Sequence, residues 1–173
     1  PLAFTKAINK IDCNLLHLST DYVFNGEQNK PYQENQSTCP INYYGYTKAL
    51  SEALIEQEIN DKSKATILRT SWVISPRGRN FVKTILNAHK EKENINVVSD
   101  QVGVPTSAKE LAKVCWKIIE LKKSKNLPFI IHWSDSGISS RYNLALEVGN
   151  LGLELGLLKK QAHLNAVSSQ EYK

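Results

Sequence analysis

The sequence predicts an α/β protein built on a doubly wound parallel sheet, and three observations support this fold class. Short apolar runs of strand length alternate with longer segments whose apolar residues recur at helical spacing. The short runs are almost continuously apolar, as in strands buried on both faces of a parallel sheet. Polar residues follow where a run stops, as Ser19 and Thr20 do after the first one. Ligands bind beyond the carboxyl ends of such strands, so we expect a site at that edge.

Each element is predicted from its local pattern. In chain order these are the end of a helix over about 3–11, a strand over 14–19, a helix over about 42–60, a strand over 64–70, a helix that starts after Asn80, a strand over 94–98, a helix over about 106–121, a strand over 128–133 and a helix from about 139. Asn42 and Thr106 are the predicted caps of their helices, because such side chains accept a hydrogen bond from the first turn. Asn25-Gly26 indicates a turn that leads into a polar loop ending at Pro40.

Three further patterns are interpreted as structural. His17 lies inside the first predicted strand rather than at its end, so we interpret it as a hydrogen-bonded structural histidine and not as a catalytic base. Tyr43 and Tyr46 point away from the expected site and are predicted to be packing residues. The glycines between Gly149 and Gly156 lie in a helix-like stretch that follows no strand, so they are not predicted to bind phosphate.

Composition narrows the class of protein. The 173 residues are 41% hydrophobic and 23% charged, which is ordinary for a soluble globular protein. No apolar stretch is long enough to span a membrane and no signal-peptide pattern opens the chain, so we expect a cytoplasmic location. The net charge of +5 does not predict nucleic-acid binding, because the basic residues are interspersed with acidic ones and no such motif accompanies them.

The three cysteines, Cys13, Cys39 and Cys115, are odd in number and widely spaced. They are therefore predicted to be buried thiols rather than a disulfide framework or a zinc site.

A hydroxyl, a phenol and an amine are the candidate catalytic groups. Tyr44 and Lys48 are four residues apart on a predicted helix, so both side chains lie on one face. Free tyrosine ionises near pH 10, and a neighbouring ammonium stabilises the phenolate, which favours proton transfer closer to neutral pH. Thr20 adds a neutral hydroxyl that can hydrogen-bond a carbonyl oxygen as it gains negative charge. Together these groups suit carbonyl reduction or alcohol oxidation.

Six ordered motifs carry a resemblance to a known family. They are Ser19-Thr20-Asp21-Tyr22-Val23-Phe24-Asn25-Gly26, Pro31-Tyr32-x-Glu34, Tyr44-Gly45-x-Thr47-Lys48, Arg69-Thr70-Ser71-Trp72, Asn80-Phe81-Val82 and Asp100-Gln101-x-Gly103-x-Pro105-Thr106. Over nearly its whole length the chain resembles the dTDP-4-dehydrorhamnose reductase family of the extended short-chain dehydrogenase/reductase superfamily. The resemblance implies a Rossmann-like fold, of which residues 1–173 form one partial domain, the C-terminal half plus a small substrate-binding lobe. Because the chain begins at Pro1 and contains no methionine, we expect a longer protein whose glycine-rich cofactor-binding turn precedes Pro1.

The resemblance implies hydride transfer from NADPH or NADH to the C4 ketone of dTDP-4-dehydro-L-rhamnose, and it leaves a homodimer open. The implied catalytic residues are Thr20, Tyr44 and Lys48. The implied cofactor contacts are Tyr44, Lys48 and Ser71, and the implied contacts to the dTDP-sugar are Asp21, Tyr22, Trp72, Asn80 and Gln101. Local alternatives stay open for three of these residues: a core position for Trp72, a helix cap for Asn80 and a turn for Gln101. No metal ligand is implied.

Other functions that are compatible with parts of the same motifs stay open. A related sugar-nucleotide dehydratase would carry Thr-Asp-Glu, and here Tyr22 replaces the glutamate. An epimerase would be expected to have small residues in place of Asp21 and Tyr22. A non-enzymatic binding subunit similar to the regulatory subunit of methionine adenosyltransferase shares Asp-Tyr-Val-Phe and Tyr-Gly-x-x-Lys but has serine at the position of Thr20. Because a hydroxyl is present in both cases, this residue separates the two interpretations only weakly.

Overall fold

A computed structural model describes residues 1–172, which form two compact units. The first unit contains residues 1–71 and 109–134, and the second contains residues 72–108 and the chain from Asp135 onwards. The five helices within residues 1–172 are α1 (Leu2–Ile8), α2 (Tyr43–Glu58), α3 (Phe81–Glu91), α4 (Ala108–Lys122) and α5 (Arg141–Glu154). The nine strands in the same range are β1 (Leu15–Thr20), β2 (Ala65–Thr70), β3 (Val73–Ile74), β4 (Asn94–Val98), β5 (Val102–Gly103), β6 (Thr106–Ser107), β7 (Ile130–His132), β8 (Ser139–Ser140) and β9 (His163–Val167).

The first unit is a parallel sheet covered by helices on both faces. Its strand order is β1-β2-β7, and the register places Thr20 opposite Thr70 at the carboxyl ends of β1 and β2. Neighbouring residues of a strand point to opposite faces. Leu15 packs against the cluster formed with α1 and α2, whereas Leu16 packs against the cluster formed with α4. The predicted α/β doubly wound fold is therefore confirmed.

The second unit has its own core between a pair of helices and short strands. β4 and β9 pair in parallel, and α3 and α5 pack on them. The buried residues of this core are Ile85, Ile95, Val97, Ala145, Val148, Ala162 and Leu164. His89 of α3 is also buried, where its Nδ1 accepts from the Ala162 N–H at 3.2 Å and its Nε2 faces the Ala145 carbonyl oxygen at 3.3 Å. β3 pairs with β6 in parallel, and β5 pairs with β8 in antiparallel orientation.

Several predictions about elements are confirmed and others are wrong. Asn42 caps α2, because its side chain accepts from the Gly45 N–H at 2.8 Å. Thr106 does not cap α4, which begins at Ala108, because Thr106 lies in β6 and its backbone N–H donates to the Trp72 carbonyl oxygen. Strand β9 was not predicted. No helix within residues 1–172 has the length and apolar character needed to cross a bilayer.

The predicted environments of some side chains are also wrong. Tyr43 and Tyr46 are not packing residues, since they are 81% and 55% exposed and stack on each other at 6.5 Å. The cysteines are free thiols as predicted, but Cys13 and Cys39 are exposed rather than buried. Only the Cys115 thiol is partly buried within the described chain, and burial raises its pKa.

The predicted hydrogen bond of His17 is absent at its Nε2, which is buried without a hydrogen-bond partner. Burial lowers the pKa of His17 to about 4, and the positive charge of Lys48 adds to this effect while Glu52 opposes it. An imidazole in an unfolded chain has a pKa near 6.5. Between about pH 6.5 and 4 the unfolded state therefore binds a proton that the folded state does not, and stability is lost as the pH falls through this window.

We expect His17→Leu to flatten the dependence of the melting temperature on pH between 6.5 and 4, because leucine has no proton to take up. Thermal denaturation at half-unit pH steps measures this effect. His163→Asn, at an exposed position of β9, is the matched control and should keep the wild-type slope. Parallel curves for His17→Leu and the wild type would contradict the prediction.

Candidate active site

Thr20 ends β1 and is held in a small turn. It is 8% exposed, and its hydroxyl donates to the Asp21 Oδ1 at 3.0 Å. The same oxygen accepts from the Tyr22 N–H at 3.3 Å, which caps the 3₁₀ turn over Asp21–Val23. The hydroxyl therefore has a fixed position at the carboxyl edge of the sheet, where the sequence predicted a site.

The first two turns of α2 contact the same stretch of chain. Lys48 Nζ donates to the Leu18 carbonyl oxygen at 2.6 Å. The Tyr44 ring meets the Tyr22 ring edge-to-face, with centroids 5.9 Å apart. Because Leu18 and Tyr22 flank Thr20, the structure brings the hydroxyl, the phenol and the amine together around one strand end.

Gly45 permits this approach, a role that was not predicted from the sequence. A Cβ on Gly45 would lie 2.1 Å from the Tyr22 backbone oxygen, so this helix position has no room for a side chain. Glycine inside a helix costs about 1 kcal/mol relative to alanine, and such a residue usually has a packing reason. The glycine that directly follows Tyr44 inside a predicted helix could therefore have indicated this close approach.

The electrostatics of the site involve Lys48 most directly. The side chain is half-buried, and burial lowers the pKa of Lys48, whereas the Glu52 carboxylate one helical turn away raises it. Tyr44 is 53% exposed, so its hydroxyl is accessible to a ligand. Within residues 1–172 no group of three His, Cys, Asp or Glu side chains is placed to hold a metal ion.

Ser71 follows β2 in the first unit and stands one residue beyond Thr70. Thr70 lies opposite Thr20 in the register, and its buried Oγ1 has no hydrogen-bond partner. Ser71 thus lies at the same carboxyl edge as the candidate catalytic groups. Its contact with a cofactor stays a prediction.

Trp72 opens the second unit in an unusual backbone conformation. Its φ of 40° lies in the left-handed region, and it is the only non-glycine residue with positive φ in the described part of the chain. The Arg141 guanidinium lies 3.7 Å from the centre of the indole, and a Cβ on Gly103 would come within 2.7 Å of the ring. Strain of this kind costs about 1–3 kcal/mol and is concentrated at functional sites.

Asn80 and Gln101 have local partners in the second unit. The Asn80 side chain caps α3, since its Oδ1 accepts from the Lys83 N–H at 3.1 Å and its Nδ2 donates to the Ser75 carbonyl oxygen at 2.6 Å. Gln101 is exposed and donates from its Nε2 to the Ser169 Oγ at 3.2 Å. The capping alternative for Asn80 is therefore realised, and contacts of both residues with substrate stay predictions.

The first unit thus defines a doubly wound α/β protein with a hydroxyl, a phenol and an amine at the carboxyl edge of its sheet, the class predicted from the motifs. The chain belongs to the family described as the RmlD substrate binding domain, which matches residues 1–173.

Individual relatives agree with this assignment. The chain is 40% identical over 164 residues to the spore coat polysaccharide biosynthesis protein SpsK of Bacillus subtilis, covering 94% of this chain and 53% of that protein. It is 36% identical over 171 residues to dTDP-4-dehydrorhamnose reductase of Escherichia coli K12, covering 98% and 56%. A crystal structure of dTDP-4-dehydrorhamnose reductase from Bacillus anthracis in complex with NADP matches with a TM-score of 0.86 and 32% identity, over 99% of this chain and 57% of that one. The chain therefore spans about half the length of the relatives it matches.

We expect Gly45→Ala to lower the melting temperature, because the added Cβ meets a backbone oxygen that cannot move aside. Overpacking of this kind costs about 1–3 kcal/mol, which outweighs the roughly 1 kcal/mol usually gained by removing glycine from a helix. Thermal denaturation shows whether the melting temperature falls or rises. Ser51→Ala on the same helix removes only a hydroxyl bonded to the Thr47 carbonyl oxygen and is the control. A Gly45→Ala protein at least as stable as the wild type would refute the close approach.

Proposed function

We propose that the full-length protein carrying this chain reduces the C4 ketone of dTDP-4-dehydro-L-rhamnose to dTDP-L-rhamnose with NADPH or NADH. The observation that supports this most is the anchoring of Tyr44 and Lys48 to the residues on either side of Thr20. Relatives named dTDP-4-dehydrorhamnose reductase, one of them solved in complex with NADP, supply the substrate and cofactor class. A cytoplasmic location and a homodimer stay predictions.

Each of the three groups has a distinct task in this proposal. The Tyr44 hydroxyl donates its proton to the alkoxide that forms at C4, which a phenol on an exposed side chain can reach. Thr20 hydrogen-bonds the ketone oxygen as its negative charge develops, and for this its hydroxyl has to turn away from Asp21. The Lys48 ammonium stabilises the phenolate left on Tyr44.

The donor set of the first unit fits a nicotinamide cofactor. The Lys48 ammonium has three N–H donors, and one of them donates to the Leu18 carbonyl oxygen. The other donors are available for the ribose hydroxyls. Tyr44, Lys48 and Ser71 are the proposed cofactor contacts. When bound, the nicotinamide supplies the hydride.

The proposed contacts with the sugar nucleotide differ in how strongly they are supported. Asp21 and Tyr22 adjoin Thr20 in the first unit. Trp72 is supported by its strained backbone and by the Arg141 guanidinium that packs on its ring. Gln101 is exposed, whereas Asn80 has the weakest support because its amide is occupied in capping α3.

We expect Tyr44→Phe to lower kcat by about a hundredfold or more, as for loss of a general acid. The measurement follows NADPH oxidation by absorbance at 340 nm with dTDP-4-dehydro-L-rhamnose, using the full-length protein. Tyr43→Phe is the matched control, because Tyr43 precedes Tyr44 on α2 and is exposed. It should keep wild-type kcat.

Absence of turnover by wild-type protein with bound cofactor would reject the proposed reaction and favour a binding subunit. Turnover by Tyr44→Phe at the wild-type rate would reject the role of the phenol.

A further inference from the structure

A buried ion pair joins α2 to two strands of the first unit. Glu52 and Arg69 are 5% and 4% exposed. Arg69 donates from Nη2 to the Glu52 Oε2 at 2.6 Å and from Nε to Oε1 and Oε2 at 3.1 and 3.2 Å. The Ser19 hydroxyl also donates to Oε1. Residues of α2, β1 and β2 therefore meet at one carboxylate.

Arg69 is held in place by its other neighbours. Its Nη1 donates to the Glu34 carbonyl oxygen at 3.4 Å and lies 3.2 Å from the His132 Nε2. The His132 Nδ1 lies 3.2 Å from the Tyr32 carbonyl oxygen, which can only accept, so Nδ1 carries the proton and Nε2 accepts from Arg69. The guanidinium also lies 5.0 Å from the centre of the Phe24 ring. The arginine thus has little freedom to release Glu52.

Stability alone is a weak reason for this arrangement. Two buried charges lose their hydration, and an apolar pair of similar size is often equally stable or more stable. The position of Glu52 gives a better reason, because it follows Lys48 by four residues and Tyr44 by eight and so shares their helix face. Its partner Ser19 immediately precedes Thr20.

We propose that Glu52 is a positioning residue that holds the Tyr44–Lys48 face of α2 against the end of β1 that carries Thr20. The inference rests on the proposed function, because it concerns the geometry of that site. The same carboxylate acts on the charge of Lys48, since burial lowers the pKa of the amine and Glu52 raises it. Loss of the carboxylate should therefore affect the chemical step more than substrate binding.

The test is Glu52→Gln in the full-length protein, because glutamine keeps the length of the side chain and removes its charge. We expect kcat to fall at least about tenfold while KM stays within about twofold, as for misplaced reacting groups. NMR titration of the Lys48 Cε should show a lower midpoint than in the wild type, because the carboxylate that raises the pKa is gone. Glu56→Gln is the control, because Glu56 lies one turn further along α2, about half exposed, and pairs with Lys62. It should change none of these values.

A second variant separates positioning from folding. Glu52→Leu combined with Arg69→Met replaces the ion pair with apolar side chains, which a buried site often tolerates. A folded double variant with reduced kcat supports the proposal. Wild-type kcat in either folded variant overturns it, and failure of both variants to fold overturns it in favour of a purely structural role.

The proposed function can fail separately from this inference. If the wild type does not reduce the ketone, the reaction is rejected, but the Lys48 titration in Glu52→Gln is still decisive. A lowered midpoint then supports the link between Glu52 and Lys48, and an unchanged midpoint overturns it.

Discussion

The close approach of α2 to the end of β1 is the constraint on which the candidate site depends. A helix can bring a phenol and an amine to a strand end only if its backbone passes close to that strand. Gly45 makes this possible by leaving space for the Tyr22 carbonyl oxygen, and Lys48 then reaches the Leu18 carbonyl oxygen. Further along the helix, Glu52 binds the same strand through Ser19. The site is thus assembled by backbone contacts as much as by the reacting side chains.

Much of the first unit could be predicted because its signals are local. The apolar run over 14–19 appears as β1 shifted by one residue, and the helix predicted over 42–60 appears as α2 with Asn42 as its cap. Helical spacing is also enough to place Tyr44 and Lys48 on one face of that helix. Such features depend on neighbouring residues, so a single sequence carries the information.

The features that were missed depend on partners distant in the sequence. β9 is a strand because it pairs with β4, and Thr106 is drawn into β6 by pairing with Val73 rather than capping a helix. Tyr43 and Tyr46 were predicted to be packing residues because they point away from the expected site, yet their side of α2 is exposed.

The ion pair of Glu52 and Arg69 left one signal in the sequence that was not used. Arg69 lies near the end of a strand that has no other charged residue and is buried on both faces, where a charge needs a partner. A carboxylate on the neighbouring helix was therefore to be expected. Its identity could not be predicted from the sequence, because Glu52 and Arg69 are brought together only when α2 packs on the sheet.

The groups at the end of β1 do not identify a substrate by themselves. A hydroxyl, a phenol and an amine at a strand end suit proton transfer to many carbonyl compounds, so the first unit alone does not select a sugar. Contact of Trp72, the first residue of the second unit, with a sugar stays a proposal, which its own surroundings support. The Arg141 guanidinium packs on one face of the indole, and Gly103 leaves space for the ring because it has no side chain. The backbone of Trp72 has a strained conformation. Backbone strain of this kind is concentrated at functional sites, so the φ of 40° at Trp72 supports the proposed contact over an ordinary core position.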